Sequence, residues 1–386
     1  MKNNAIDLIV QCLPPAHDAI GEYTAYFASE LSRDRRVRIL TSRDTFSSII
    51  PGVSIETCFD RVGARRFAGL LKQMLATTSH AVVLQYNPFC WGRRGWAPDL
   101  VNLMLHFKRV RPDVVLGIMF HETFMMNPGL RSWVMRQYQR RQFNQLLRMA
   151  DVNFFSTELW ADQQRALRPQ ATMVHLPVGA NLPESTVSQM ATRRRWGIAA
   201  GDFVCGAFGG NHPSRMLPWI THAVNYIAKQ NGEANRTVFL HVGGEKIDWS
   251  LEGIPVIATG RLEAAEAASA ISGMDLLVNP FTDGISTRRG SAMAALQQGV
   301  PMLSTRGHAT DSIWESADGM SVFLASPTCV DSWYAAADSA MRGLISNRDA
   351  MKTAAKRLYD ETFSWRVLGE KLGMHLMDAH DLKVRV

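Results

Sequence analysis

The chain has 386 residues, 46% hydrophobic and 20% charged, with a net charge of +7. That is too long for one ordinary core and too apolar for a disordered chain, so two globular domains of roughly 180 to 200 residues each are expected. No apolar run of about 18 residues occurs, which argues against a spanning helix, and Cys12, Cys58, Cys90, Cys205 and Cys329 form no CxxC pair or Cys/His cluster, which argues against structural zinc and disulfides and for a reducing cytoplasm.

Taken in order, the chain opens on MKNNAIDLIVQCLPP, whose apolar stretch is short and interrupted by Asp7; it reads as a first strand, not a signal segment. The first half alternates strand-like and helix-length segments. AIDLIVQCL (5–13), VRILTS (37–42), AVVLQY (81–86), DVVLGIMF (113–120), DVNFFST (151–157) and TMVHLPV (172–178) are predicted strands. Segments 21–34, 64–77, 97–110 and 128–150 have helical period and length. LPVGANLP (176–183) then carries two prolines, Gly179 and Asn181 after a strand and reads as a linker. Beyond it the alternation resumes. Strands are predicted at 202–209, 237–244, 254–260, 275–280, 300–305 and 320–326, and helices at 213–230, 262–272, 288–299 and 330–345. Gly299 followed by Pro301 marks a helix stop. Strands separated by helical crossovers predict parallel sheets, here an α/β fold of two Rossmann-like doubly wound domains facing a central cleft. The expected boundaries are 1–180 and 181–365, with a C-terminal helix at 366–386 packing back on the first domain.

The charge excess is uneven. Residues 1–190 carry 22 Lys+Arg against 15 Asp+Glu, and residues 191–386 carry 20 against 20. In RSWVMRQYQRRQFNQLLRMA (131–150), Trp133, Val134, Tyr138 and Leu146 are interleaved with Arg131, Arg136, Arg140, Arg141 and Arg148. This is either a basic helix for an anionic membrane surface or an ordinary amphipathic helix with arginines reaching to water. No recognition motif accompanies the charge, so nucleic acid is not expected as a partner.

In open α/β sheets, chemistry collects in the loops that follow the strands, and the polar residues cluster there. After the first strand come His17, Asp18, Gly21 and Glu22, where a glycine at a helix start lets backbone approach a phosphate or acceptor. His121-Glu122 ends the fourth strand-like run; it could orient a hydroxyl or transfer a proton, or be a satisfied structural histidine. HETFM is not HExxH, so no zincin site is present. FGGN (208–211) places Gly209 and Gly210 ahead of Arg215, and TGRLE (259–263) places Gly260 in a later turn. Neither GxGxxG nor GxxxxGK[ST] occurs.

The densest stretch is FTDGISTRRGSAMAALQQGVPML (281–303), which holds Asp283, Gly284, Ser286, Thr287, Arg288, Arg289 and Ser291 before an Ala-rich helix. Asp283-Gly284 could be a turn and Ser286 a helix cap. Two adjacent arginines beside the positive end of a helix dipole remain without structural cause on that reading. A bound phosphate or diphosphate supplies one.

Together these motifs resemble the GT-B fold glycosyltransferases, in particular the retaining family 4 type. The likeness runs through PP…IGEYTAYFASEL, FHET, HLPVGANLP, FGGN…R, TGRL, DLLVNPFTDGISTRRGSAMAALQQGVPMLST and FSWRVLGEKL. The resemblance implies transfer of a sugar from a nucleotide-diphosphate sugar to a glycan or lipid-linked glycan acceptor, with no metal or other cofactor. It implies donor contacts from Gly209, Gly210, Arg215, Gly260, Gly284, Ser286, Thr287, Arg288, Arg289 and Ser291. His121 and Asp283 are then the catalytic candidates, and Gly21 and Glu22 line the acceptor or phosphate loop. The family's paired glutamates are reduced here to Asp283, because Ala294 occupies the second position and no other carboxylate lies between Asp283 and Pro301. Two alternatives stay open: an epimerase or phosphorylase on the same fold, and a non-catalytic nucleotide-sugar-binding subunit. The expected location is the cytoplasm, including the inner face of the cell membrane as a peripheral protein.

Overall fold

The computed structural model describes residues 4–45, 49–125, 129–232 and 236–385; Pro128 and Val386, at the ends of two segments read as helical, lie outside them. Two compact units are present, Met1–Pro177 with Trp365–Val386, and Val178–Ser364.

The first unit is a seven-stranded sheet in the order β3-β2-β1-β4-β5-β6-β7, parallel throughout. Its strands are β1 (Ala5–Ile9), β2 (Arg36–Ser42), β3 (Val53–Phe59), β4 (Ala81–Tyr86), β5 (Val115–Phe120), β6 (Val152–Phe155) and β7 (Thr172–His175). Helices α1 (Ala19–Leu31), α2 (Ala68–Leu75), α3 (Pro88–Trp91), α4 (Pro98–Val110), α5 (Leu130–Met149) and α6 (Glu158–Leu167) connect them. The central strands β1, β4, β5 and β6 are buried along their whole length, which is why they read as near-continuous apolar runs, with Asp7, Gln85 and Asn153 as buried polar exceptions. β3 escaped the sequence reading because it is a largely exposed edge strand whose polar residues Ser54, Glu56 and Thr57 break up its apolar ones. α6 escaped because Ala161 is its one buried residue.

The second unit is a six-stranded parallel sheet in the order β10-β9-β8-β11-β12-β13. It contains α7 (Gln189–Arg195), β8 (Phe203–Phe208), α8 (Leu217–Asn231), β9 (Thr237–Val242), β10 (Val256–Ala258), α9 (Ala264–Ser272), β11 (Leu276–Val278), α10 (Gly290–Gln297), β12 (Met302–Thr305), α11 (Ser312–Ser316), β13 (Val322–Ala325) and α12 (Val330–Leu358). α7 lies in a stretch that reads as polar linker. It is held by Arg193, buried with its guanidinium on Asp275 at 2.7 Å and on the Gly273 carbonyl at 3.0 Å, not by an apolar stripe. α12 runs past its predicted end at 345, with a break at Asn347.

The last helix, α13 (Trp365–Val384), belongs to the first unit. Trp365 stacks parallel to Tyr26 and meets Tyr23 edge-on, and Arg35 donates to the Gly369 carbonyl at 3.3 Å. Gly117 in β5 leaves room for Leu376, since a Cβ there would sit 3.1 Å from that side chain.

Candidate functional site

Each sheet has one place where strand order reverses: β1 beside β4 in the first unit, and β8 beside β11 in the second. The connections leaving the carboxyl ends of such neighbours diverge and open a crevice. In the second unit the loops after β8 and β11 are laced together across that point. Arg215 and Phe281 form an antiparallel bridge, the Met216 amide donates to the Pro280 carbonyl at 3.1 Å, and the Thr282 amide donates to the Ser214 carbonyl at 2.8 Å. Side chains far apart in sequence, Arg215 and the 283–289 group, are thereby brought together.

Arg215 is 8% exposed. Its Nη1 donates to the Gly209 and Gly210 carbonyls at 3.3 and 3.1 Å. Its Nε and Nη2 are buried and have no partner among the described residues. Burial, reinforced by Arg289 and opposed by Glu245, pushes its pKa down to about 10. Orphaned donors on a desolvated cation carry a free-energy cost that a bound anion would offset.

Arg289 is also buried. Its guanidinium lies 4.0 Å from the centroid of the Phe281 ring. Nη2 donates to both oxygens of Asp283, at 2.9 and 3.0 Å, and to Ser214 Oγ at 3.0 Å. Arg288 reaches the same carboxylate at 3.4 Å. The expectation that this arginine pair lacks a structural partner is therefore corrected: the Asp283-Gly284 turn folds the acid back onto both guanidinium groups. Ser286 is not the helix cap either. α10 starts at Gly290, with Arg289 in the cap position and no side-chain cap bond. Ser286 is buried, and its Oγ has no partner among the described residues. The Thr287 amide donates to Asp311 Oδ2 at 2.5 Å and the Thr287 carbonyl accepts from Val178 at 3.0 Å. Ser291 Oγ accepts from Asn279 at 3.0 Å.

The glycines divide by cause. Gly209 has φ +93, and a Cβ there would meet nothing nearer than Arg215 Nη1 at 3.9 Å, so its surroundings are open. Gly284, at φ +89, is packed against Gly307 and Thr310, each 2.4 Å from where a Cβ would stand; it serves loop-on-loop packing and not approach to a ligand. Gly210 faces the Glu245 carboxylate, and Gly260 bridges Gly243 at the rim.

Four neighbours were not singled out individually, although HVGGE (241–245), like TGRLE, reads from the sequence as a Gly turn after a strand. Glu245 accepts from the Asn211 amide at 2.7 Å. His241 is buried, 3.3 Å from the Gly209 carbonyl. His212 pairs with Ser214 at 2.8 Å, and burial followed by Arg289 and Arg288 lowers its pKa. Asp311 is the fourth. For the first three the signal, polar residues close after apolar runs, was present in HVGGE and GGNH; Asp311, six residues past β12, carried none.

In the first unit His121 follows β5 and is half-buried. Its Nε2 lies 2.7 Å from Gln85 Oε1, so this nitrogen is the donor and the ring is the Nε2–H tautomer. Tyr23 meets the ring edge-on at 4.8 Å. Burial pushes the pKa down to about 3, leaving a neutral imidazole that positions a hydroxyl better than it delivers a proton. Gly21 does not present its amide to a ligand. That N–H is taken by Asp18 Oδ1 at 2.7 Å, and a Cβ would lie 2.5 Å from the Cys12 carbonyl. Glu22 is half-buried in the first turn of α1. Among the described residues no three His, Cys, Asp or Glu side chains group as a metal site requires, and no helix is long and apolar enough to cross a membrane.

No family model matches the sequence, and no curated protein matches it. Solved structures do. The chain is similar to WaaG, a glycosyltransferase involved in lipopolysaccharide biosynthesis, at 14% identity and TM-score 0.61, with 95% of this chain and 98% of that one covered. It is similar to HepE of Anabaena in complex with UDP, at 16% and 0.65 over 97% and 100%. An α,α-trehalose-phosphate synthase (UDP-forming) from Burkholderia xenovorans, in complex with glucose-6-phosphate, matches at 12% and 0.65 over 97% and 100%. The chain has the GT-B fold of these structures.

Proposed function

We propose that the protein is a retaining glycosyltransferase that takes a sugar from a nucleotide-diphosphate sugar bound in the second unit. Its acceptor is a glycan or lipid-linked glycan bound in the first unit, the transfer uses no metal, and it takes place in the cytoplasm. The observation that carries this reading is Arg215, buried at the β8/β11 reversal with two donors lacking partners and Arg289 beside it. HepE, similar in fold, has been solved with UDP and with UDP-glucose. In such a reaction the bond from the anomeric carbon to the diphosphate oxygen breaks, and the acceptor hydroxyl forms its bond on the same face and gives its proton to the departing diphosphate oxygen. Negative charge grows on the leaving oxygens, and fixed cations in a desolvated pocket stabilise that charge most. Arg215 and Arg289 supply those cations, with Ser286, Thr287 and Arg288 next to them.

Asp283 holds Arg289 in place. A carboxylate offers about four lone-pair positions, so Asp283 can also accept from a donor-sugar hydroxyl. His121, neutral and oriented by Gln85, is suited to binding a hydroxyl of the sugar or the acceptor.

The test is calorimetric titration and melting with UDP-, GDP-, dTDP- and ADP-sugars, on the parent protein and on Arg215→Ala. One nucleotide class should raise the melting temperature. The substitution should weaken its binding by roughly tenfold to a hundredfold, the scale of charge-assisted hydrogen bonds. Equal affinity in the two proteins, or no response to any donor, would remove the basis of the reading.

A further inference from the structure

The helix α5 carries five arginines (131, 136, 140, 141 and 148) and no Asp or Glu in its 20 residues. One face is well packed: Gln139, Gln142, Phe143, Leu146 and Leu147 are buried. The first turns of the helix bear Leu130, Trp133 and Val134, which are 78%, 53% and 49% exposed, with Arg131, Arg140 and Arg141 exposed near them and Arg148 exposed further along the helix. Arg136 is only half-buried and not part of that exposed set. None of residues 130–138 is buried, so these three exposed apolar side chains sit on a stretch of the helix that contributes nothing to the core.

A second element adds to the same surface. Residues 92–97 form a tight loop with Arg94 in the left-handed region at φ 56. Three donors from α5 hold it: Tyr138 Oη and Gln139 Nε2 donate to the Arg94 carbonyl at 2.7 and 3.0 Å, and Gln142 Nε2 donates to the Gly95 carbonyl at 2.8 Å. Gln142 Oε1 also accepts from the Ala97 amide at 2.8 Å. The loop thus fixes Trp96, 51% exposed, edge-on to Tyr138 at 5.1 Å, with Arg93 and Arg94 exposed beside it. A non-glycine residue in that backbone region persists only when its surroundings hold it there. Here the surroundings present an exposed aromatic and two arginines next to the bare side of a basic helix. Segments 88–96 and 130–149 together contain seven arginines and no carboxylate.

We infer that this α5 and 92–97 surface is a docking face for anionic lipid. Arginines satisfy phosphate headgroups while Trp133, Trp96, Leu130 and Val134 enter the boundary between headgroups and acyl chains, the division of labour of an interfacial helix. An acidic protein would supply the counter-charge but would have to match apolar side chains spread over a convex helix, whereas a bilayer boundary accepts them wherever they fall. The inference rests on the first unit alone and stands or falls separately from donor binding at Arg215.

The experiment is co-sedimentation of the full chain with phosphatidylcholine vesicles, with or without about 30 mol% phosphatidylglycerol. The parent protein should pellet with the anionic vesicles only and be released as salt nears roughly 0.5 M. The triple variant Arg131→Gln, Arg140→Gln, Arg141→Gln should lose roughly a hundredfold in partition coefficient, about fivefold per arginine. Leu130→Gln with Trp133→Gln should lose roughly tenfold. A charge-matched triple elsewhere, Arg33→Gln, Arg194→Gln, Arg342→Gln, should lose far less, and all variants should keep the parent melting temperature because the positions are exposed. Parent-like binding by either α5 variant, an equal loss in the control triple, or no pelleting of the parent protein overturns the inference. So does a parent dimer that ignores vesicles and becomes monomeric in the α5 triple, since the face would then belong to a second copy.

Discussion

At the scale of single residues, the arginines of the 281–289 loop are not equivalent. Arg289 is buried on Phe281 and shares Asp283 and Ser214, whereas Arg288 is about a fifth exposed and makes a longer 3.4 Å contact. Arg289→Ala leaves the Asp283 carboxylate without its closest cation and should destabilise the protein by about 1 to 3 kcal/mol. Arg288→Ala should cost less, about 0.5 to 1 kcal/mol, because its contact is longer and Arg289 still holds the carboxylate. Urea denaturation of the two variants checks the contrast; equal losses would mean that the buried pairing is not what holds the loop. His121 provides a second contrast. With its pKa held down to about 3 by burial, it stays neutral over the working range, so a pH–rate profile between about 5 and 8 should show no step that His121→Gln abolishes. His121→Ala should still lower turnover by tens-fold if the ring binds a reacting hydroxyl. A variant that is less stable but turns over at the parent rate would leave His121 as a core histidine bonded to Gln85.

At the scale of elements, α13 meets the first sheet through an imidazole pair. His80 is 2% exposed, and its ring lies 5.5 Å from that of His380 on α13. Burial first, then His380 and Arg35, push the His80 pKa down to about 4 from 6.5; Arg111, Asp113 and Lys383 line the same hollow. The unfolded chain takes up a proton as pH falls through about 6.5, while the folded one resists until about 4. Stability is therefore full above about 6.5 and is lost progressively as pH drops towards 4, by an amount on the order of a few kcal/mol. Melting curves at descending pH should show a shallower decline in His80→Gln than in the parent. Parallel declines would mean that the pair does not couple α13 to pH.

At the scale of the whole molecule, the chain path makes the two units unequal. The second is one continuous stretch, Val178–Ser364, whereas the first needs both Met1–Pro177 and Trp365–Val386. A fragment of residues 178–364 should fold cooperatively and keep the donor affinity of the parent. A chain ending at 364 should be destabilised by several kcal/mol, because Leu368, Leu372 and Leu376 are buried in the first unit and losing each such side chain costs about 2 to 5 kcal/mol before relaxation. Circular dichroism melting and calorimetry with UDP on the two fragments test this. A 178–364 fragment that folds but fails to bind any donor would move the binding site out of the second unit.

What was legible in the amino-acid order was the part of the fold set by local period and burial. Parallel strands covered on both faces are near-continuous apolar runs, so AVVLQY, VLGIMF and TVFLHV announced themselves, and the loop after DLLVNP stood out by its polar density. Elements held by long-range polar contacts were silent. β3 is a polar edge strand, and α7 depends on Arg193 finding Asp275, 82 residues away by the numbering. Within the site, the sequence determined that Arg215, Asp283 and Arg289 each follow a strand. Only the tertiary structure decided that β8 lies beside β11, which puts Arg289 on Ser214 and sets it beside Arg215, whose Nε and Nη2 have no partner among the described residues. The reason is physical: periodicity reports which face a residue buries, while the partner it meets there is set by strand order, and strand order is a property of the assembled sheet.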